Sequence, residues 1–328
     1  MKYQRLGNSD IEISSIGLGC MGMSEFYGQS DDSQSIRVIH HALEMDLNFL
    51  DTADTYGLGR NEELVRKAIK GKRDQVVLAT KFGIVREEGK YERRIDGRPE
   101  YVKEACENSL RRLGTDVIDL YYAHRINPEI PVEETMGAMA DLVEQGKVRA
   151  LGLSEVSLDT LKKANAVHPI SALQSEYSMT TREVEALILP GCKSLGITFV
   201  AYSPICRGLL SSDQKKFDEF QSTDFRQYLP RFQEENLRRN RLLVEALEST
   251  AKDKNCTIAQ LSLAWLLAQG DHIVPIPGTR RIEYLEENIA SLAIVLNQNE
   301  VTELTKILDQ NPVYGNRYTE EGMKGVNV

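Results

Sequence analysis

Four side chains in the first half of the chain could together move a proton onto a carbonyl oxygen. They are Asp51, Tyr56, Lys81 and His124, each at or just beyond the end of a short apolar run. A tyrosine titrates near ~10 in water and is a poor acid at pH 7. A neighbouring ammonium favours the phenolate and lowers that value, and Lys81 is expected to do this to Tyr56. Asp51 would pair with Lys81 and hold it in place, while His124 could hydrogen-bond the substrate oxygen where negative charge develops. Taken singly, each has a bland reading as a solvated charge or a structural imidazole. Four such residues at successive elements favour a site. Nothing nearby supplies a hydrolytic nucleophile or a metal cage, so the electrons for reducing a carbonyl must come from a cofactor.

Those residues need elements to bring them together. Apolar runs at 16–18, 48–50, 76–79, 117–122, 148–153, 172–174, 198–201 and 273–274 alternate with longer segments of helical periodicity. Pro131-Val132-Glu133-Glu134 opens one such helix, and Gln145-Gly146-Lys147 closes it before the next strand. Ile36, Val38, Ile39, Ala42, Leu43 and Met45 form the apolar face of the first. Eight strand–helix units with short, continuous apolar runs predict an α/β fold, a (β/α)8 TIM barrel whose parallel strands are covered by helices. Residues 2–6 and 11–13 read as an N-terminal hairpin cap, and 299–309 as an extra C-terminal helix. A long insertion follows strand seven, where 203–234 is mostly polar yet carries Phe217, Phe220, Phe225, Tyr228 and Phe232. In a barrel the chemistry sits at the C-terminal strand ends. There the chain places Asp51, Lys81, His124, Ser154-Glu155, Gln174-Ser175-Glu176 and Tyr202-Ser203-Pro204.

Gly17-Leu18-Gly19-Cys20-Met21-Gly22 is a literal G-x-G-x-x-G after a strand, and Asp51 stands where a ribose-binding acid would. In a dinucleotide-binding unit, however, the third glycine opens the helix. Here residues 23–30 intervene before a helix start at Asp31-Asp32-Ser33, so the glycines read as a tight loop where backbone approaches a ligand. A second anion site is expected after strand eight. Gly278 and Thr279 form a turn before a helix, with Arg280 and Arg281 expected in its first turn. Basic residues there oppose the helix dipole, and a bound phosphate would explain them.

The bulk properties bound the rest. Length over ~150 residues per domain suggests about two domains, but a barrel accommodates residues 1–328 as one. A net charge of −9 without basic runs argues against nucleic acid or an anionic membrane as the main partner. No apolar stretch is long enough to span a bilayer and the N-terminus lacks a secretory core, so a cytoplasmic protein is expected. The five scattered cysteines suggest neither disulfides nor zinc.

At this level of detail the chain resembles the aldo-keto reductases over nearly its whole length. The resemblance rests on Asp51-Thr52-Ala53-Asp54-Thr55-Tyr56-Gly57 with Asn61-Glu62, Lys81-Phe82-Gly83 and Asp119-Leu120-Tyr121-Tyr122-Ala123-His124. Gly152-Leu153-Ser154, Gln174-Ser175-Glu176-Tyr177, Tyr202-Ser203-Pro204, Pro277-Gly278-Thr279-Arg280 and Glu287-Asn288 follow in order. It implies that Asp51, Tyr56, Lys81 and His124 form the catalytic tetrad and that the cofactor is NADP(H). Gly22 and Met23 would line the nicotinamide end, Ser154 and Gln174 would hold the carboxamide, and Tyr202 would stack on the ring. Ser203, Pro204, Arg207, Gly208 and Leu209 would follow the pyrophosphate, with Asp51, Ile276 and Thr279 also in the cofactor set. Gly278 and Arg280 would meet the 2′-phosphate, and Tyr284, Glu287 and Asn288 the adenine. Arg280 favours NADP(H) over NAD(H), because a guanidinium can grip a phosphate where NAD offers a hydroxyl. Glu155 stands where many members have Asn. With Gly17 to Ser24 and Phe26-Tyr27-Gly28, it resembles the bacterial, yeast and plant auxin-induced-type (perakine reductase-like) subgroup.

The leading expectation is reduction of a small-molecule aldehyde or ketone, with Phe26, Tyr27 and Phe82 lining the substrate pocket. Two others compete: an NADP(H)-binding regulatory subunit, and a Schiff-base lyase using Lys81.

Overall fold

A computed structural model describes residues 1–88, 90, 92–214 and 217–327; Lys215 and Lys216 of the long insertion lie outside the described residues. A hairpin of β1 (Tyr3–Arg5) and β2 (Glu12–Ser14) precedes the barrel. The barrel strands are β3 (Leu18–Gly19), β4 (Phe49–Asp51), β5 (Val77–Phe82), β8 (Ile118–Ala123), β9 (Val148–Ser154), β10 (Ile170–Glu176), β11 (Thr198–Tyr202) and β12 (Ile273–Pro275), all parallel. Between β5 and β8 lies a second hairpin, β6 (Ile84–Arg86) with β7 (Arg93–Ile95), which the sequence reading did not anticipate. The sheet closes where Gly17 N–H donates to Pro275 O (3.0 Å) and Gly19 bridges Gly278.

The helices are α1 (Asp32–Glu44), α2 (Arg60–Ile69), α3 (Pro99–Leu113), α4 (Val132–Glu144), α5 (Leu158–Val167), α6 (Ile188–Leu195), α7 (Glu234–Asp253), α8 (Ile258–Leu267), α9 (Ile282–Ala290), α10 (Gln298–Gln310) and α11 (Glu320–Met323). Eight of them cover the strands. The insertion ends in α7, α10 is the expected C-terminal helix, and the short α11 belongs to the tail. Local chemistry sets the ends: the Asp31 carboxylate caps Ser33 and Gln34 N–H at α1, and Thr257 with Gln260 forms a capping box at α8.

Strand periodicity then decides what faces the barrel axis. The interior is filled by Phe49, Val77, Ala79, Leu120, Tyr122, Ala150, Ala172, Val200, Val274 and Ile276, with Leu6, Ile11 and Ile13 of the hairpin cap packed against them. Side chains alternate along each strand. Two residues beyond an interior residue, the next inward position is therefore Asp51, Lys81, His124, Gln174 or Tyr202, and Ser154 follows Gly152 in the same way. Intervening residues such as Leu78, Tyr121 and Leu173 face the layer between strands and helices.

Gly17 and Gly19 are small because the barrel closes there. A Cβ on Gly17 would lie 2.7 Å from the Phe49 ring, and one on Gly19 would lie 2.9 Å from Ile276 O. The ligand-approach reading of these two glycines is corrected accordingly: a neighbouring strand and the Phe49 ring occupy the space. The late start of α1 at Asp32 separates this segment from a dinucleotide-binding turn. Among the described residues, no helix is long and apolar enough to cross a membrane.

Candidate active site

The tetrad residues come together at the C-terminal mouth. Lys81 Nζ donates to Asp51 Oδ1 (2.5 Å), Thr52 O (2.8 Å) and Tyr56 Oη (3.3 Å), which commits all three of its hydrogens. The other Asp51 oxygen accepts from Gln174 Nε2 (2.7 Å). The Tyr56 ring lies 5.0 Å from Lys81 Nζ and meets the His124 ring edge-on at 5.8 Å. Because the Tyr56 oxygen accepts from Lys81, its own hydrogen is free to point elsewhere.

Burial controls the protonation states. Tyr56 is held well above the usual tyrosine range, first by desolvation and then by the negative charge of Asp51. This corrects the expectation that Lys81 lowers it: Asp51 offsets the ammonium and the dry surroundings disfavour a phenolate. Lys81 is itself lowered by desolvation, against which Asp51 works. Desolvation, followed by the charge of Arg125, holds His124 well below its ordinary value, so its imidazole is neutral at pH 7. Among the described residues, the buried His124 Nδ1 has no hydrogen-bond partner.

Asn61 and Glu62 of α2 brace this loop. Asn61 joins Thr52 Oγ1 (2.6 Å) to Cys20 O and Ser24 Oγ, while Glu62 accepts from Thr80 Oγ1 and Arg112 Nε (2.6 Å each).

The expected cofactor residues lie around the same mouth, with corrections. Gly22 is half-buried at the rim, but the Met23 side chain sits in the core and its N–H is held by Cys20 O. Neither the Met23 side chain nor its N–H is therefore available to the cleft. Leu209 is likewise in the core, and the Gly208 and Leu209 N–H groups close turns onto Ile205 O and Cys206 O. Ser203, Cys206, Arg207 and Gly208 all have positive φ, folding this segment after β11 into a tight reversal. Arg207 Nη2 donates to Glu176 Oε2 (3.1 Å). Arg281 is the N-cap of α9 and Arg280 precedes it, so neither lies in the first turn as expected; the extended φ/ψ of Arg281 starts the helix one residue later. Arg280 donates to Tyr27 O (2.7 Å) and to Gln29 O. Arg281 stacks over the exposed Tyr284, Asn288 is buried, and Glu287 O accepts from Gln260.

Of the pocket candidates, Phe82 is corrected. It alternates with inward Lys81, so it points outward and stacks on Tyr121 with ring centroids 5.0 Å apart. Phe26 and Tyr27 stay at the rim, gripped by the insertion: Phe26 meets Phe225 edge-on at 5.5 Å, and Arg226 lies 5.1 Å above the Tyr27 ring.

With this geometry in view, comparison with known proteins is informative. Residues 15–309 match the Aldo/keto reductase family. The chain belongs to that family. Among solved structures, the glycerol dehydrogenase of Gluconobacter oxydans is 29% identical with a TM-score of 0.86, over 94% of this chain and 95% of its own. A thermostable aldo-keto reductase solved with the inhibitor epalrestat is 34% identical with a TM-score of 0.75, over 94% and 100%. The holo form of an aldo-keto reductase from Bacillus halodurans is 31% identical with a TM-score of 0.79, over 94% and 96%.

In this aldo/keto reductase the tail is the feature that sequence reasoning missed. Glu155, with a positive φ of 55° and fully buried, accepts two bonds from Arg317 (2.8 Å each), one from Tyr202 Oη (2.6 Å) and one from Glu176 N–H (2.9 Å). These hold its carboxyl below the usual range despite burial, which is the largest influence and acts in the opposite direction. Tyr318 bonds to Tyr202 Oη (3.1 Å) and lies 4.6 Å beneath the Arg207 guanidinium, while Asn327 N–H donates to Glu155 O. Glu155 thus latches the C-terminal tail onto strand ends β9 and β11. Arg317→Ala is expected to release that latch. Amide exchange across 314–327 should quicken by at least ~10-fold while the barrel strands keep their protection; equal protection in variant and parent would place the anchor elsewhere.

Proposed function

We propose that residues 1–328 act as one catalytic barrel that reduces an aldehyde or ketone to an alcohol with NADPH, as a cytoplasmic oxidoreductase of class 1.1.1. When bound, the cofactor would supply the hydride to the carbonyl carbon. Tyr56 then gives its proton to the carbonyl oxygen. The observation that carries this reading is the environment of the Tyr56 hydroxyl. Its oxygen accepts from Lys81, which leaves its hydrogen available, and burial keeps it protonated at neutral pH. An alkoxide is a far stronger base than a phenolate, so a weakly acidic tyrosine suffices. As the proton leaves, the new negative charge forms 3.3 Å from the Lys81 ammonium, where a preorganised cation is worth most. Neutral His124 can donate to the same substrate oxygen without adding charge.

The residues present fit such a cofactor. Ser154 and Gln174 would hold the carboxamide and Tyr202 would lie against the ring. Ser203, Pro204 and the Arg207 guanidinium would face the pyrophosphate, with Gly278, Thr279 and Arg280 at the 2′-phosphate, and Tyr284, Glu287 and Asn288 at the adenine. Arg280 supports this assignment because its present partners are two neutral carbonyls, which leave its charge uncompensated. Within the family, Glu155 and the glycine-rich segment favour the auxin-induced-type subgroup.

The test follows NADPH oxidation by its absorbance with a broad aldehyde and ketone panel, repeated with NADH. Glycerol with the oxidised cofactor belongs in the panel, since one structural neighbour is a glycerol dehydrogenase. Arg280→Met should raise the KM for NADPH by about 10- to 100-fold, the worth of a charged guanidinium–phosphate contact, and change that for NADH little. Equal loss with both cofactors would defeat NADPH specificity. Tight NADPH binding without turnover would favour the regulatory subunit. A Schiff-base lyase needs a free, neutral Lys81 amine, and the three bonds to that amine argue against it; a borohydride-trapped adduct on Lys81 would reverse that ranking.

A further inference from the structure

The largest unexplained charge near the tetrad is Arg125. It follows His124 directly, is only 5% exposed, and sits where no sequence motif singled it out. Its Nη1 donates to His124 O (2.6 Å) and Ser154 Oγ (3.2 Å), both neutral, and its buried Nε has no partner among the described residues. Neighbouring cations are treated differently. Lys81 pairs with Asp51, Arg207 and Arg231 share Glu176 (3.1 and 3.3 Å), and Arg317 pairs with Glu155. Among these described residues five cations face three carboxylates, and no carboxylate lies within ion-pair distance of Arg125.

Burying a guanidinium without a directly paired counter-ion is costly; the nearby Glu155 charge offsets part of that cost, and two bonds to neutral oxygens recover little more. A purely packing role would be served as well by an apolar side chain. The charge makes sense if its partner arrives from outside. Its position says which partner. Arg125 lies on the tetrad side of the mouth, in the field of Tyr202, Glu155, Tyr318 and Tyr56. Of the proposed phosphate-binding arginines, 280 sits farther out, holding Tyr27 O, while 207 lies over Tyr318 near Arg125 but is already paired with Glu176. The nicotinamide end of a cofactor carries no anion to meet it, which leaves the substrate. From below, the tail closes this corner: a Cβ on Gly325 would lie 3.1 Å from Arg125 Cβ.

We propose that Arg125 anchors a carboxylate of the substrate, so that the preferred carbonyl compounds are oxo acids. A guanidinium presents a planar fork that matches a carboxylate, and its unpartnered Nε is one prong. The substrate's carbonyl would then lie towards Tyr56 and His124 while its carboxylate replaces the missing counter-ion. This inference rests on the carbonyl-reductase reading for the position of the carbonyl end.

The test measures binding rather than turnover. Glyoxylate, pyruvate and succinic semialdehyde, each against its methyl ester, are titrated calorimetrically into NADP+-loaded protein. At least one acid is expected to bind about 10- to 100-fold more tightly than its ester, the range for a charged hydrogen-bonded contact. Arg125→Met should bring that ratio to about one, and Arg125→Lys should keep part of it as a point charge without the fork. Equal binding of every acid and ester to the wild type, or a preference that survives Arg125→Met, overturns the proposal. If the Met variant does not fold, the change of ratio in Arg125→Lys decides by the same criterion: an unchanged ratio overturns it. Turnover with NADPH separates the two readings. Selective acid binding with no carbonyl compound reduced defeats the reductase reading and leaves the carboxylate site; reduction of neutral carbonyls with no binding preference for acids does the reverse.

Discussion

Tyr56→Phe is expected to lower the turnover of carbonyl reduction by about 10²- to 10⁴-fold, the contribution of a positioned general acid. The substitution keeps the ring, its edge-on contact with His124 and its position beside Lys81, and removes only the hydroxyl. Lys81 retains Asp51 and Thr52 O as acceptors, so the local charges stay balanced. Folding and NADPH affinity, read by melting temperature and fluorescence titration, should therefore change little while turnover collapses. Retention of more than a tenth of the wild-type rate would assign the proton to another group, His124 being next in line. The same reading fixes the pH dependence. Reduction needs Tyr56 protonated, and its pKa lies above the ordinary tyrosine value, so activity is lost only as pH rises beyond about 10. His124, held below its ordinary value, charges only well on the acid side of neutrality. The reductive rate constant measured with saturating substrates should accordingly be flat between these limits. A fall on the alkaline side near neutrality would contradict the burial argument.

Lys81→Met is expected to cost about 3 to 5 kcal/mol of folding stability in addition to activity, as when one partner of a buried ion pair is removed. The Lys81 side chain is fully buried and that of Asp51 is 3% exposed, so water cannot replace the lost partner. Asp51 would keep one bond, from Gln174, and an uncompensated charge in a dry setting. Chemical denaturation at neutral pH reads the loss directly. Adding Asp51→Asn to Lys81→Met should recover most of it, because the charge that lacked a partner is then gone. A single-variant loss under ~1 kcal/mol, the scale of an exposed pair, would show that the pair is solvated in solution.

The barrel, and the convergence of Asp51, Tyr56, Lys81 and His124 on its mouth, were legible because their signals are local. Asp51 to Gly57, Lys81 and His124 stand at strand ends that short apolar runs mark, and α10 was placed within a residue of its observed bounds by its own periodicity. Phe82 was not legible for a related reason. Buried parallel strands are apolar on both faces, so the run 76–79 gives no phase from which to tell that Lys81 faces the axis and Phe82 the helices. The side chains of Met23 and Leu209, expected along the cofactor, lie in the core for a similar reason, since being near a site in sequence does not tell which side chains turn inward. Glu155 was noticed as a departure, but its partner Arg317 lies 162 residues away and nothing in either neighbourhood announces the other.

By itself the sequence determined which residue types reach the mouth and the order of the strands that carry them, because alternation of apolar runs and helical periods is written in short segments. Tertiary structure alone decided the state of those residues. Tyr56 is held as a protonated phenol, His124 as a neutral imidazole and Arg125 as a buried cation with no ion pair among the described residues because of what surrounds them, and desolvation is a property of assembled elements rather than of any one segment. The tail latch on Glu155 has the same origin: a buried carboxylate must find its counter-charge wherever the fold brings one, and here that is the end of the chain.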